Sequence, residues 1–380
     1  MRVLLVYQYF GPYHLARWRD LVRRLPARGV EPLGLQLFSR PDLYNWSEGG
    51  GDGIIRLDLP TGGRDNIRPR DIGRMLAAIA RLRPDVLFVN GWGMRDAIAT
   101  HLWARLRHMP RVLVTDSQIV DHPRSAWRER LKHAIIGKPA GAFVAGATSR
   151  RYAERFGIAA ARIVEGCDVV DNAHFAPAAT MRGPKQHRLL TVIRLAPTKN
   201  LLAAGAAFLR FVERRGEDWT WSIAGYGPLE PQMRELAAGS GGRIRLLGGC
   251  AYAELPRVFA EADVYWQPSI SEPWGLAVNE AMAAGLPVLV SDRCGCHEDL
   301  VTGETGWTFD PTSETSMVEA LERVAADRDN WERMGRAATQ VIAGWDLARF
   351  SEGVHRAAMI AAAPRRAAPA VSAKTEGDLR

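Results

Sequence analysis

The chain has 380 residues, 47% of them hydrophobic and 24% charged, which is too long for one ordinary domain and carries enough apolar material for two cores. Twelve tryptophans exclude a disordered or low-complexity chain, and no apolar run reaches the ~20 residues that a membrane-spanning helix needs. The net charge of +8 is uneven: residues 1–175 hold 27 Lys and Arg against 17 Asp and Glu, and the rest of the chain holds 23 against 25. The first half is therefore expected to face something anionic, unless the excess only reflects an arginine-rich composition.

Residues 1–7 read as a buried first strand. A secretory leader is not expected, because the apolar stretch is short and Gln8 and Gly11-Pro12 follow it. Further strands are expected at 32–38, 54–59, 86–90, 112–115 and 143–145, with helices between them at 14–25 and 70–82 among others. This alternation predicts a doubly wound α/β domain over residues 1–178. A polar stretch with Gly and Pro at 180–185 reads as a linker. The alternation then resumes, with strands at 189–194, 221–224, 244–247, 264–267 and 288–291 and helices at 201–214, 230–238, 255–262 and 276–284. A second domain of the same kind is expected over 179–345, then a helix over 346–363 and a disordered Ala/Pro/Arg tail over 364–380. Two facing domains of this class form a cleft, and ligands bind beyond the carboxyl ends of their strands. Cys167, Cys250, Cys294 and Cys296 include no CxxC pair, so neither a zinc knuckle nor a disulfide framework is implied, which suits a reducing cytoplasm.

The chemistry concentrates in Ser271-Glu272-Pro273-Trp274-Gly275-Leu276-Ala277-Val278-Asn279-Glu280, which follows a strand and opens a helix. Gly275 allows close approach of a ligand to the backbone, and the new helix offers unpaired N–H groups. Eight helical residues span about 12 Å at ~1.5 Å each, the scale of a ligand with two polyhydroxylated ends such as a nucleotide sugar. Two isolated glutamates read equally well as a surface residue and a helix-stabilising one.

The surrounding sequence narrows this. The stretch resembles the E-x7-E motif of the retaining GT-B glycosyltransferases of group 1, also called family 4. Ala260-Glu261-Ala262-Asp263-Val264 leading into Gln267-Pro268-Ser269 is similar to that family's A-A-D-V…P-S. Gly295 and Glu298 stand where it has G-x-x-E, and Gly303 with Thr305-Gly306 resembles its D-G-x-T-G. Upstream, 192–200 looks like its G-R-L-x-x-x-K-G, Gly225-Tyr226-Gly227-Pro228 like its G-x-G-P, and Gly166-Cys167-Asp168-Val169 like its N-G-V-D. The resemblance runs from about residue 163 to 345.

It implies a GT-B fold, two facing Rossmann-like domains with the acceptor on the first and a nucleotide diphosphate sugar on the second, and a last helix that returns to the first domain. Glu280 would hold the nucleotide ribose and Glu272 a sugar hydroxyl. Arg194 and Lys199 would bind the diphosphate, as a cation pair at a strand end should. The backbone around Pro273, Trp274, Gly275 and Leu276 would meet sugar or phosphate, with Gly11, Gly225 and Gly227 also on the donor side. Two departures stand out: Ile193 and Asn200 replace the two glycines of G-R-L-x-x-x-K-G, and Asp116-Ser117, with His122 six positions on from Asp116, replaces a histidine that many members carry after this strand. His14, Asp116 and His122 are the acceptor-side candidates, His14 being also readable as an ordinary residue near a helix start.

Other motifs carry less. Asp327-Arg328-Asp329 matches a metal-binding D-x-D but lies in a polar helical stretch, and Asn45-Trp46-Ser47 is a glycosylation sequon without a leader. Arg17, Trp18, Arg19, Arg23 and Arg24 form a basic-aromatic helix that reads either as a rest for anionic headgroups or as a solvated face. The expectation is a metal-independent retaining transferase, with no cofactor because the nucleotide sugar is a substrate. Its acceptor would be a saccharide, lipid-linked in surface polysaccharide assembly. It would be cytoplasmic, with an anionic membrane surface as a further partner and no nucleic acid. Two alternatives stay open: a nucleotide-sugar epimerase or hydrolase of the same fold, and a non-enzymatic nucleotide-sugar or nucleic-acid binding module.

Overall fold

The computed structural model describes residues 1–39, 51, 53–63, 66–121 and 125–363. The Asn45 sequon, His122 and the 364–380 tail lie outside them.

The first domain is built on β1 (Arg2–Tyr7), β2 (Glu31–Phe38), β3 (Ile54–Leu59), β4 (Val86–Asn90), β5 (Arg111–Thr115), β6 (Gly141–Val144) and β7 (Ile163–Glu165). All pairings are parallel, and the spatial order is β3-β2-β1-β4-β5-β6-β7. Its helices are α1 (Pro12–Arg24), α2 (Ile72–Leu82), α3 (Arg95–Leu106), α4 (Ala126–Ile136) and α5 (Ala147–Arg155). Short helices α6 (Asn172–Phe175) and α7 (Pro177–Met181) lead into the second domain. There β8 (Arg188–Val192), β9 (Thr220–Ala224), β10 (Ile244–Gly248), β11 (Val264–Gln267), β12 (Val288–Ser291) and β13 (Gly306–Phe309) form a second parallel sheet in the order β10-β9-β8-β11-β12-β13. Its helices are α8 (Leu201–Arg215), α9 (Glu230–Gly239), α10 (Leu255–Ala260), α11 (Leu276–Ala283), α12 (His297–Leu300), α13 (Glu314–Ala326) and α14 (Trp331–Ile342). The direction of winding reverses between β1 and β4 and again between β8 and β11, and those two switch points open onto the cleft.

The central strands, such as β4, β6, β11 and β12, are short and buried on both faces, as parallel strands covered by helices must be, while the edge strands β3 and β10 are partly exposed. Trp219, Trp221, Trp266 and Trp331 are sequestered in the core of the second domain. A larger cluster, including Phe10, Trp18, Phe175, Trp274, Met282 and Phe350, is continuous across the two domains.

The final helix, α15 (Leu347–Ala362), leaves the second domain and packs on α1 and β6. Phe350 meets Phe143 with ring centroids 5.4 Å apart, and Ser351 Oγ donates to Asp20 Oδ2 at 2.7 Å. A Cβ on Gly353 would stand 2.4 Å from the Phe143 ring, so only glycine allows this approach.

Only part of the basic-aromatic reading of α1 stands: Arg19, Arg23 and Arg24 lie on an exposed face, whereas Trp18 and Arg17 turn inward. Its period turns Leu15, Trp18 and Leu21 into the core together with Arg17. The Trp18 ring lies under Gly34, within 3.1 Å of where a Cβ would be. Arg17 donates to Val169 O at 2.9 and 2.8 Å and to Asp168 Oδ1 at 3.2 Å. Arg23 and Arg24 both pair with Asp20. Trp18 does not reach the outer surface, and Arg17 reaches only the wall of the cavity at the strand ends. Among the described residues, no helix is long and apolar enough to cross a membrane.

Candidate functional site

The donor-side residues meet where β8 and β11 diverge. Lys199 Nζ donates to Glu272 Oε2 at 2.7 Å, and the same oxygen accepts from Gln267 Nε2 at 3.0 Å and Ser269 Oγ at 3.4 Å. Three donors on one oxygen fix the carboxylate. Arg194 is exposed just past β8, which ends two residues earlier than the expected strand. Gly225 and Gly227 explain the early end. A Cβ on Gly225 would fall 1.8 Å from Ile193 O, and one on Gly227 would fall 2.5 Å from Leu195 O. The two glycines let the β9 loop lie against the β8 loop that carries Arg194, with Leu195 N–H donating to Tyr226 O at 3.0 Å. Their role is thus to shape the wall of the site. Asn200, in place of the motif's second glycine, adopts φ +59°, a left-handed conformation that asparagine tolerates, and its Nδ2 donates to Pro311 O at 2.8 Å.

The 272–276 loop is held from behind. Gly275 has φ +106° and caps α11, and a Cβ on Gly295 would stand 1.8 Å from Pro273 O. Leu276 is the first residue of α11 and is partly buried against the core. The Trp274 side chain points away from the cleft: its Nε1 donates to Asn279 Oδ1 at 2.9 Å and its ring packs on Trp345 at 4.9 Å. Only the backbone of Trp274 is left to meet a donor. Glu280, on the next two turns, is 1% exposed. Burial pushes its carboxyl up to about 8, partly offset by Tyr13 Oη, which donates to Oε1 at 2.6 Å.

The first domain supplies a cavity of about 550 Å³ at the carboxyl ends of β1, β4 and β5. Its lining includes His14, Arg17, Trp92, Asp96, Asp116, Asp121 and Asp168. His14 stacks at a tilt on Tyr7 with centroids 4.4 Å apart, and burial, then Arg17, lower its pKa to about 3. A neutral imidazole brings no positive charge to a phosphate. Burial, then the Asp168 carboxylate, raise Asp116 to about 7. Asp116 also feels Glu272, so the cavity adjoins the donor loop. Gly11 is buried ahead of α1 with φ −77°, a conformation open to any residue.

Several residues without a motif connect the two halves of the site. Gln118 Nε2 donates to Glu272 O and to Arg293 O, both at 2.8 Å. Thr148 Oγ1 donates to Gly295 O at 3.1 Å, and Ser271 Oγ to Asp121 O at 3.2 Å. Glu298, the acidic residue of the G-x-x-E match, forms a two-bond ion pair with Arg151 of the first domain instead of facing the donor pocket. Asp327 of the D-x-D match accepts from Trp307 Nε1 at 2.9 Å, a structural role. A single glutamine, threonine or tyrosine has no sequence signature, and only the meeting of two domains gives these residues their partners.

Residues 176–341 match the family described as "Glycosyl transferases group 1", and residues 15–165 match "Glycosyl transferase 4-like domain". A glycogen synthase of Mycobacterium tuberculosis is 32% identical over 318 residues, covering 79% of this chain and 71% of that protein. A GDP-mannose-dependent alpha-(1-6)-phosphatidylinositol monomannoside mannosyltransferase of the same organism is 31% identical over 236 residues, or 57% of this chain; the match spans 61% of the mannosyltransferase. Among solved structures, sucrose-phosphate synthase of Thermosynechococcus elongatus aligns with a TM-score of 0.73 at 17% identity, covering 94% of this chain and 98% of that one. Anabaena HepE in complex with UDP-glucose aligns at 0.70 and 15% identity, covering 93% and 98%. With two doubly wound domains, a cleft between their switch points and matches along both halves, the chain belongs to the group 1 glycosyl transferases and has the GT-B fold.

Proposed function

We propose that the protein transfers a sugar from a nucleoside diphosphate sugar to an acceptor hydroxyl with retention, forming an α-linkage. The observation that carries this reading is the pairing of Lys199 with a triply anchored Glu272, at the loop that opens the helix holding buried Glu280. Arg194 and Lys199 neutralise the diphosphate as it leaves, supplying the charge stabilisation that a metal supplies elsewhere. Glu272, released by Lys199, accepts from a hydroxyl of the transferred sugar, and Glu280 holds the ribose. The acceptor attacks from the face the diphosphate is leaving, and the departing phosphate takes its proton. The protein contributes positioning and charge, with no covalent intermediate. Relatives named for GDP-mannose and a fold neighbour holding UDP-glucose support a nucleotide sugar donor.

The acceptor is proposed to be a saccharide carried on a lipid, in surface polysaccharide synthesis; a relative in Erwinia amylovora is named for amylovoran biosynthesis. Carboxylates at 96, 116, 121 and 168 suit hydroxyl groups far better than phosphates, so the saccharide enters the cavity and its lipid stays outside. Reversible attachment to an anionic membrane is proposed through α3 and α4 in place of α1. The α4 helix turns Lys132 inward, 3.8 Å above the Trp92 ring that lines the cavity, and leaves Trp127 and Leu131 exposed beside Arg128 and Arg130. On α3, Leu102 and Leu106 are exposed, followed by Arg107. An apolar strip edged by arginines fits an anionic headgroup layer.

Calorimetry with free UDP and GDP, joined to product mass spectrometry, tests the donor reading. Glu280→Gln is expected to weaken the nucleotide itself, and Glu272→Gln to spare it while abolishing most transfer. Equal weakening by both variants refutes the two assignments, and donor consumption without acceptor points to a hydrolase or epimerase.

A further inference from the structure

Two buried polar atoms beside the cleft have no hydrogen-bond partner among the described residues: Glu280 Oε2 and Tyr252 Oη. Leaving such a group unpaired costs about 1–3 kcal/mol each. The two are neighbours. Burial, then the charge of Glu280, push the Tyr252 phenol up.

Tyr252 begins the turn Tyr252–Glu254 ahead of α10, and its place is fixed. His174 stacks on its ring at 4.3 Å with an interplanar angle of 5°, and His174 Nε2 lies 3.0 Å from Tyr252 O. Tyr13, from α1 of the opposite domain, meets the Tyr252 ring edge-on at 5.4 Å while its hydroxyl occupies Glu280 Oε1. Three side chains from α1, the 252 turn and α11 thus converge, and two of them present an unused oxygen.

We infer that the donor ribose is bound by Glu280 Oε2 and Tyr252 Oη together, each taking one hydroxyl of the 2′,3′-diol, and that Tyr13 is a positioning residue that holds Glu280 from across the cleft. The inference rests on the reading of Glu280 as the ribose residue. A vicinal diol presents two donors side by side, which matches two adjacent acceptors better than a single carboxylate oxygen does. Tyr13 prevents Glu280 from turning Oε1 to the diol. Its donated hydrogen bond also favours the ionised carboxylate, the stronger acceptor. Because Tyr13 belongs to the first domain, the ribose site is complete only when the two domains are closed.

The test measures UDP and GDP binding by calorimetry, each alongside its 2′,3′-dideoxy form, between pH 6 and 9. The readout is the ribo-to-dideoxy affinity ratio, in which titration of the phosphates cancels. Tyr252→Phe is expected to cut the ratio roughly tenfold, the value of about one hydrogen bond, with dideoxynucleotide affinity unchanged. In wild type the ratio should rise with pH through the region near 8, where Glu280 ionises. Tyr13→Phe removes a donor to the carboxylate, raises its pKa further and moves that rise to higher pH. The groups facing Glu280 are Tyr13 from α1, Tyr252 from the turn and Tyr265 from β11, while Arg17 and Asp171 act on Tyr252. The Tyr252 and Tyr265 phenols are both pushed up, so of these three groups Glu280 is the one that titrates in this window; Asp116, raised to about 7, belongs to the first-domain cavity. If Glu280→Gln lowers the ratio while Tyr252→Phe or Tyr13→Phe matches wild type in both ratio and pH profile, the inference fails and the ribose reading stands. If Glu280→Gln leaves the ratio intact, the ribose reading fails with it.

Discussion

Lys199 and Glu272 form a pair whose energy should depend on whether the donor is present, if Lys199 binds the diphosphate as proposed. Their side chains are each 16% exposed, so the pair lies between a solvated surface bridge and a buried one. At 2.7 Å and an effective dielectric near 20, the gross attraction is about 6 kcal/mol, most of it offset by desolvation of the two ions. A net coupling of about 2 kcal/mol is the expected remainder. Lys199→Met leaves Glu272 with only Gln267 and Ser269 as donors and should cost about 2 kcal/mol. Glu272→Gln should cost about 1 kcal/mol, because Lys199 can then turn to water in the cleft. The double variant should lose far less than the sum. Urea unfolding of the four proteins gives the coupling directly. Repeating the cycle with saturating nucleoside diphosphate is the sharper measurement, since Lys199 then binds phosphate and the coupling should fall by at least half. Additivity within about 0.3 kcal/mol in the free protein would refute the resting pair. A coupling unchanged by nucleotide would refute the exchange of partners on which the role of Lys199 rests.

Donor turnover should persist in EDTA, because Arg194 and Lys199 supply the charge; strict loss restored by Mg²⁺ or Mn²⁺ refutes this. Anionic liposomes should sediment the wild type at low salt and release it near 1 M, as the Debye length falls from ~10 Å at 0.1 M to ~3 Å. Changing Trp127 and Leu131 to Ala, or Arg128 and Arg130 to Gln, should abolish sedimentation, whereas Arg19→Gln with Arg23→Gln on α1 should not; the opposite pattern would return the contact to α1, and no sedimentation of wild type would favour a soluble acceptor.

The strands were legible because a parallel strand buried on both faces is an uninterrupted apolar run: β4, β11 and β12 occupy the expected residues. Two strands escaped notice. Ile163–Glu165 has only three residues, and Gly306–Phe309 opens on a glycine and carries exposed Thr308, so its apolar run is broken; β13 depends on Gly306, where a Cβ would stand 1.8 Å from Val288 O. The expected strand over 189–194 ran too far because the apolar pattern continues through Ile193 while the backbone already bends under Gly225. The α1 misreading came from counting arginines without their helical phase, since positions 15, 18 and 21 share the inward face. At the site, the resemblance to the family's motifs pointed to Lys199 and Glu272, which the structure brings into contact, and to Glu280, which it buries. Tyr13, Gln118, Thr148 and Tyr252 were not legible, because each acts across a distance in sequence that only the assembled cleft closes.

The proposed transfer would give the two walls of that cleft different tasks. On that reading the second domain brings Arg194 and Lys199 to the side where a diphosphate would accumulate charge as it leaves. The first domain lines the other side with carboxylates, two of which, Asp116 and Asp168, burial pushes up. On the proposed reading these carboxyls would accept hydrogen bonds from acceptor hydroxyls, with Asp116 carrying less than a full charge opposite the departing phosphate near neutral pH. At the mouth the walls are linked by polar contacts, Tyr13 to Glu280, Gln118 to Glu272 O, Thr148 to Gly295 O and Arg151 to Glu298, and by the edge-on packing of Tyr13 on Tyr252. At about 0.5–1.5 kcal/mol net each, such bonds sum to a few kcal/mol, within what a bound nucleotide can add or withdraw. The apolar contacts of Phe350 and Gly353 of α15 on Phe143 add a second attachment between the domains, built on a helix that leaves the second domain and packs on the first.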